Sequence, residues 1–182
     1  MSILEQRNGN WKVTDRLALW ESEGPLLTND LLEEFGKLAV QVLLEQDPEL
    51  ALPKEQRFAA SVYGQSRCYS KKMRRGVAET LALMGAKPDA LKTCSQGKPE
   101  SVAYQTVSKL LEEADSDQWA SLNDVLPLLA EASPDAFLKA VGGASEKTDE
   151  PCSGVFAQED GGMMGRTYSS GLLWALESLA WS

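Results

Sequence analysis

The chain has 182 residues, 27 acidic and 18 basic side chains, a net charge of −9 and 43% hydrophobic residues, values that fit one globular domain or one piece of a larger array. The acidic balance argues against general binding to nucleic acid or to an anionic membrane, because phosphate contacts need a basic face. The chain has no histidine, which excludes Ser-His and Cys-His dyads built from this chain alone and any His-containing zinc site.

Asn8-Gly9 is a two-residue turn signal. A small hairpin with Ile3-Leu4 and Trp11-Val13 as its arms fits it, and so does a loose lead-in from an upstream domain. Thr14 is placed to cap a short helix over Asp15 to Glu21, stopped by Gly24-Pro25. Thr28 to Glu45 is the clearest helix, with acids in its first turns and Leu31, Leu32, Phe35, Leu38, Ala39, Val42 and Leu43 as a buried stripe. Pro53 should open its partner helix, running through Phe58, Val62 and Tyr63 to Gly64. Ser70 to Met84 is next, with Met73, Val77, Thr80, Leu81 and Met84 inward and Gly85 where a left-handed C-terminal residue is wanted. A loop over Lys92 to Lys98 leads to a helix opened by Pro99 or Glu100 and broken at Asp115 to Asp117. Trp119 to Ala132 follows, with Pro127 marking a kink or a helix start, and Ser133-Pro134 turns the chain into a short helix ending at Val141.

Gly142 to Ser170 differs in composition: it holds six glycines, with Val155-Phe156 as its apolar anchor. A loop of this length in a small domain signals function or disorder. Gly171 to Trp181 closes the chain as a very apolar helix, which suggests a fragment of a longer array; a terminal helix docked on the core is the plainer alternative. Three helix-turn-helix junctions share one device, a Leu five residues before Pro48, Pro88 and Pro134 and an acid after each. The prolines lie 40 and 46 residues apart, a helical-hairpin repeat period. The fold class expected is all-α: stacked antiparallel helix pairs in one domain over 1–182, either a HEAT/armadillo-like α-solenoid or an irregular helical bundle.

Chemistry-bearing groups are sparse. Arg67, Lys71, Lys72, Arg74 and Arg75 form the one dense basic stretch. Four of them fall in the first turns of a helix, where the dipole disfavours cations, so an exposed cluster there fits a partner contact, with Tyr63 and Tyr69 nearby for stacking. The plainer reading is a solvated face neutralised by neighbouring acids. Cys68 beside these cations is a conceivable reactive thiol, though without a His or a second nearby Cys it reads as inert. Cys68, Cys94 and Cys152 contain no CxxC pair and read as free thiols in a reducing compartment. Gly161 to Arg166 lacks the GK[ST] ending of a phosphate loop and reads as a flexible loop. Glu177 reads as the outer face of the last helix, while Trp119, Trp174 and Trp181 read as core or inter-repeat packing. Asp115, Asp117, Asp124 and Glu112-Glu113 lack calcium-loop spacing and read as a solvated helix boundary. No cofactor and no metal is expected. There is no signal peptide or membrane-spanning run, so the cytoplasm is the default.

VLLEQDPELALP at 42–53, YSKKMRRGVAETLALMG at 69–85, WASLNDVLPLLAEASPDAFLKAV at 119–141 and GLLWALESLAW at 171–181 together resemble a HEAT/armadillo-like helical segment of large, mostly uncharacterised bacterial proteins, from about Trp11 onward. The resemblance implies a scaffold or sensor portion accompanying other domains of nucleotide-driven defence or signalling modules, and it carries no catalytic residues. The expected function is a non-enzymatic scaffold or protein-interaction module, with Arg67, Lys71, Lys72, Arg74 and Arg75 and the Gly142 to Ser170 loop as contacts. Its partner would be another protein or another domain of the same polypeptide. The alternative is a nucleic-acid-contacting sensor segment using the same basic residues. An enzyme using carboxylates or Cys68 is the remaining class.

Overall fold

Asn8 and Gly9 take left-handed backbone, with φ of 50° and 79°, and so turn the chain tightly enough to pair β1 (Leu4–Arg7) with β2 (Asn10–Val13). The pairing is antiparallel, Leu4 opposite Val13 and Arg7 opposite Asn10. The structure, a computed structural model, describes residues 3–146 and 169–181. Cys152, the Val155-Phe156 anchor and the Gly161 to Arg166 loop lie outside the described residues.

Among the described residues the rest is helical, in eight α-helices joined by turns and short 3-10 segments. Asp15, rather than Thr14, caps α1 (Arg16–Glu23), accepting from the Ala18 N–H. Thr14 instead closes the hairpin, its backbone N–H and its hydroxyl both donating to the Ile3 carbonyl. Thr28 caps α2 (Asn29–Leu43), whose buried face is Leu32, Gly36, Ala39, Val42 and Leu43. Leu31 and Leu38 are exposed instead of lying in that stripe, because the face is centred on positions spaced by 3.6 and Gly36 occupies its middle.

The helix expected after Pro53 does not form. Pro48–Ala51 and Lys54–Ala59 are 3-10 turns, Gly64 takes a φ of 73°, and Val62 and Tyr63 are exposed. Pro88–Ala90 is likewise a 3-10 turn, so of the three proline junctions only Pro134 opens an α-helix. Ser70 caps α3 (Lys71–Ala86), on which Met73 is exposed rather than inward. α4 (Lys98–Leu111) is entered through left-handed Gly97. The stretch around Pro127 is two helices, not one kinked helix: α5 (Ser116–Leu122), capped by Asp115, and α6 (Leu126–Ala132), with Pro127 in its first turn where no N–H is needed. α7 (Pro134–Glu146) runs past the expected end at Val141, through Gly142 and Gly143, so the first residues of the glycine-rich stretch are helical rather than loop. α8 (Ser169–Ala180) is the last helix, with Trp181 just beyond it.

α6 is the hub, packing on α3, α4, α7 and α8, while α2 and α7 flank α4. Leu43, Leu81, Met84, Leu110, Leu126, Leu129 and Phe137 fill the core, and the buried Trp119 ring meets Phe137 edge-on at 6.4 Å. Gly85 is not a left-handed cap. It lies inside α3 because α6 passes there: a Cβ at Gly85 would stand 1.8 Å from the Ala132 carbonyl oxygen. Gly171 lets α8 approach in the same way, its N–H donating to Asn123 Oδ1 at 2.9 Å.

Two glycines of α3 therefore respond oppositely to one added methyl group. Gly85→Ala should destabilise the fold by about 1–3 kcal/mol through overpacking. Gly76→Ala, where a Cβ meets nothing within 4 Å, should stabilise it by about 0.5–1 kcal/mol. Urea denaturation of the two variants beside the parent measures both.

Candidate functional site

The five basic residues of the Arg67 to Arg75 stretch do not form one exposed cluster. Lys71 and Lys72 face solvent. Arg75, also exposed, pairs with Glu79 one turn later at 2.8 Å, and Arg16 of α1 holds the other oxygen of the same carboxylate. Arg74 is fully buried. Its guanidinium donates to the Val42 carbonyl at 2.8 Å, the Glu45 carbonyl at 3.2 Å and the Ser121 carbonyl at 3.0 Å. Arg67 turns inward as well, donating to the Asp47 carboxylate at 2.7 Å and to the Ser121 carbonyl at 3.1 Å.

The cause is electrostatic. Val42 and Glu45 lie in and just past the last turn of α2, and Ser121 lies in the last turn of α5. These helix ends present unpaired carbonyls and the negative ends of two dipoles. Arg74 sits near the N-terminus of its own helix, which its charge opposes, but it faces the C-termini of two others, which its charge favours. Burial pulls the Arg74 pKa below its ordinary value, with the Arg67 charge adding to that, while Asp124, Glu45 and Asp47 act in the other direction. Around this centre Gln118 Nε2 donates to the Leu43 carbonyl, the Asp47 N–H donates to Ser121 Oγ, and the Glu45 carboxylate accepts from the Cys68 and Tyr69 N–H groups. Arg74 Nε is buried without a partner among the described residues.

Three surface features remain. On α8 the inner face, Leu172, Ala175, Leu176 and Leu179, packs into the core. On the opposite face Leu173 is exposed, Trp174 is 63% exposed and Trp181 is 85% exposed, so these two tryptophans are not core packing as the sequence suggested. Glu177 shares that outer face. A cleft of about 400 Å³ lies between α2 and α4, lined by Glu33, Lys37, Thr106 and Lys109 among others. A second cavity of about 350 Å³ lies where the end of β2 and α1 meet α3, with Trp20 and Leu83 in its wall.

Glu33 is held below the ordinary carboxylate value, first by its hydrogen bond from Lys98, then by the Lys98 charge, with Lys37 adding a smaller pull. A lowered carboxyl pKa contributes stability above the unfolded value and loses it as pH falls through the folded one, and at an exposed pair that contribution is small. Cys68 is exposed. Cys94 is half-buried, its Sγ lying 3.4 Å from the Leu27 carbonyl, and burial pushes its thiol pKa up. Asp115 is an N-cap, as a helix-boundary acid should be. Among the described residues no three His, Cys, Asp or Glu side chains come together as a metal site, and no helix is long and apolar enough to cross a membrane. Comparison with family models, curated proteins and solved structures returns no match.

Arg74→Met should lower the unfolding free energy by about 3 kcal/mol, because three buried carbonyls lose a charged donor at once. Arg74→Lys should recover only part of that, since one ammonium lacks the planar fork. Lys71→Met and Lys72→Met should each stay within about 0.5 kcal/mol of the parent. Denaturant titration of the four variants checks this order. In alkylation with iodoacetamide at neutral pH, read by peptide mapping, Cys68 should be modified before Cys94.

Proposed function

We propose that this chain is a non-enzymatic protein-interaction module, cytoplasmic in location, that docks a helical partner on the outer face of α8. The observation that supports the reading is the exposure of Leu173, Trp174 and Trp181 on one side of a helix whose other side is buried in the core. Exposed large apolar groups in one patch mark interaction surfaces, and Trp is the residue most enriched among binding hot spots. The face also carries Glu177, and the chain's net charge is −9, so the complementary partner has an apolar centre with a basic rim. A second copy of the chain would bring like charge to like charge. The partner belongs to another protein or to another domain of the same polypeptide, and adding a helix layer to a helix layer is how HEAT- and armadillo-like arrays extend.

Lys71, Lys72 and Arg75 are the members of the basic stretch that remain exposed, and they define the nucleic-acid alternative. With Arg67 and Arg74 engaged inside the protein, that alternative has fewer phosphate contacts available and a shallower salt dependence.

A photo-crosslinking amino acid placed at position 174, at 72, or at exposed Gln96 as control separates these readings in the source cell. The expected result is a nuclease-resistant protein adduct of defined mass from 174, mapping to a helical segment with basic flanks. Trp181→Ser should reduce that adduct about tenfold, the effect of losing a hot-spot residue. Nuclease-sensitive adducts from 72 alone would transfer the function to nucleic acid. Adducts from 174 no stronger than those from 96 would overturn the docking reading.

A further inference from the structure

The α2–α4 cleft has a composition that core packing does not require. Gly36 lies in its floor, at the centre of the buried face of α2, and a Cβ there would stand 2.9 Å from Val102 Cγ1 and 3.1 Å from Thr106 Oγ1. The two helices therefore close tightly at the base of the cleft, and their longer side chains rise on either side of it. Lys37 stands on the α2 wall and Lys109 on the α4 wall. The acid in the cleft, Glu33, already binds Lys98. With Glu33 paired to Lys98, the cleft is lined by two further ammonium groups, Lys37 and Lys109, on a protein whose net charge is −9. Thr106 is 3% exposed and lines the cleft, its hydroxyl oxygen lying over the Gly36 floor. A hydroxyl at the floor of the cleft can donate to an oxyanion that enters it. Val40 and Val102 supply apolar wall beside these donors.

We propose that this cleft binds a phosphate group, free or carried on a small molecule. Lys37 and Lys109 neutralise the oxyanion from opposite walls, and the Thr106 hydroxyl donates to one of its oxygens. At about 400 Å³ the cleft is within the size range of small-molecule sites. It lies on different helices from the docking face of α8, and neither reading depends on the other.

Calorimetry with the full chain tests the site, using phenyl phosphate and inorganic phosphate as ligands and phenol as the uncharged control. Phenyl phosphate should bind and phenol should not. Tighter binding of phenyl phosphate than of inorganic phosphate assigns a phosphorylated small molecule, and equal affinity assigns free phosphate. Lys37→Met and Lys109→Met should each raise Kd about tenfold, the effect of one charge-assisted contact. Thr106→Val should raise it about fivefold. The double variant of Lys71→Met and Lys72→Met should leave Kd unchanged. Both cleft lysines are exposed, so their variants should fold even if Thr106→Val does not. Absence of phosphate binding at millimolar concentration, or an unchanged Kd when Lys37 and Lys109 are both replaced, would overturn the proposal.

Discussion

The guanidinium of Arg74 binds three carbonyls from the ends of two helices, and the arrangement of the chain depends on that contact. Two α-helix C-termini brought together would ordinarily repel, since each presents unpaired oxygens and the negative end of a dipole. A lysine could neutralise the charge, but it would reach the separate oxygens poorly. The planar five-donor fork of arginine can serve several acceptors at once, and its charge is delocalised enough to be buried at lower cost. Arg67 supports the arrangement from the other side of the Ser121 carbonyl, and its bond to Asp47 ties down the irregular segment after α2. Without that tie, the 3-10 turns between Leu44 and Ser70 would have few buried side chains to hold them.

The remainder of the fold is built on the frame this contact fixes. α3 carries Arg74 at its beginning and Gly85 at its end, so the same helix that joins α2 to α5 also accepts the close approach of α6. α6 in turn supports α8, which meets Asn123 through Gly171. The outer stripe of α8 therefore stands on three successive layers of rigid contacts. The docking we propose on that stripe would lose little entropy, because the helix beneath its tryptophans is packed on the core.

Much of the secondary structure was legible in the sequence because it rests on local rules. Asn8-Gly9 offered the hairpin that the structure shows beside a loose lead-in, while Thr28 and Ser70 marked the starts of two helices, and the stripe of Leu32, Val42 and Leu43 the inner face of α2. What could not be read depends on other parts of the chain. Gly85 resembles a helix terminator until α6 is seen to pass against it. Pro48 and Pro88 look like Pro134 in local sequence, yet only Pro134 is followed by an uninterrupted helix-forming run. The RCYSKKMRR stretch reads as one patch because sequence spacing does not reveal that positions 67 and 74 face two helix ends. Cations opposing the dipole of their own helix were the one available signal, and for Arg74 the carbonyls at the C-termini of two other helices were the physical reason for it. Trp174 and Trp181 read as packing residues because a helix apolar on both faces does not disclose which face the core takes.

The most direct measurement of the role of Arg74 is a nitrogen-15 spectrum of the arginine side chains in the folded protein. If Arg74 holds three carbonyls in a buried site, its Nη protons should appear as separate, slowly exchanging signals, because rotation of the guanidinium is blocked and water is excluded. Arg75, exposed and held by a single surface pair, should show averaged, fast-exchanging signals in the same spectrum. If the Arg74 signals were averaged and exchanged as fast as those of Arg75, the guanidinium would not anchor the two helix ends, and some other contact would have to hold α2 and α5 together.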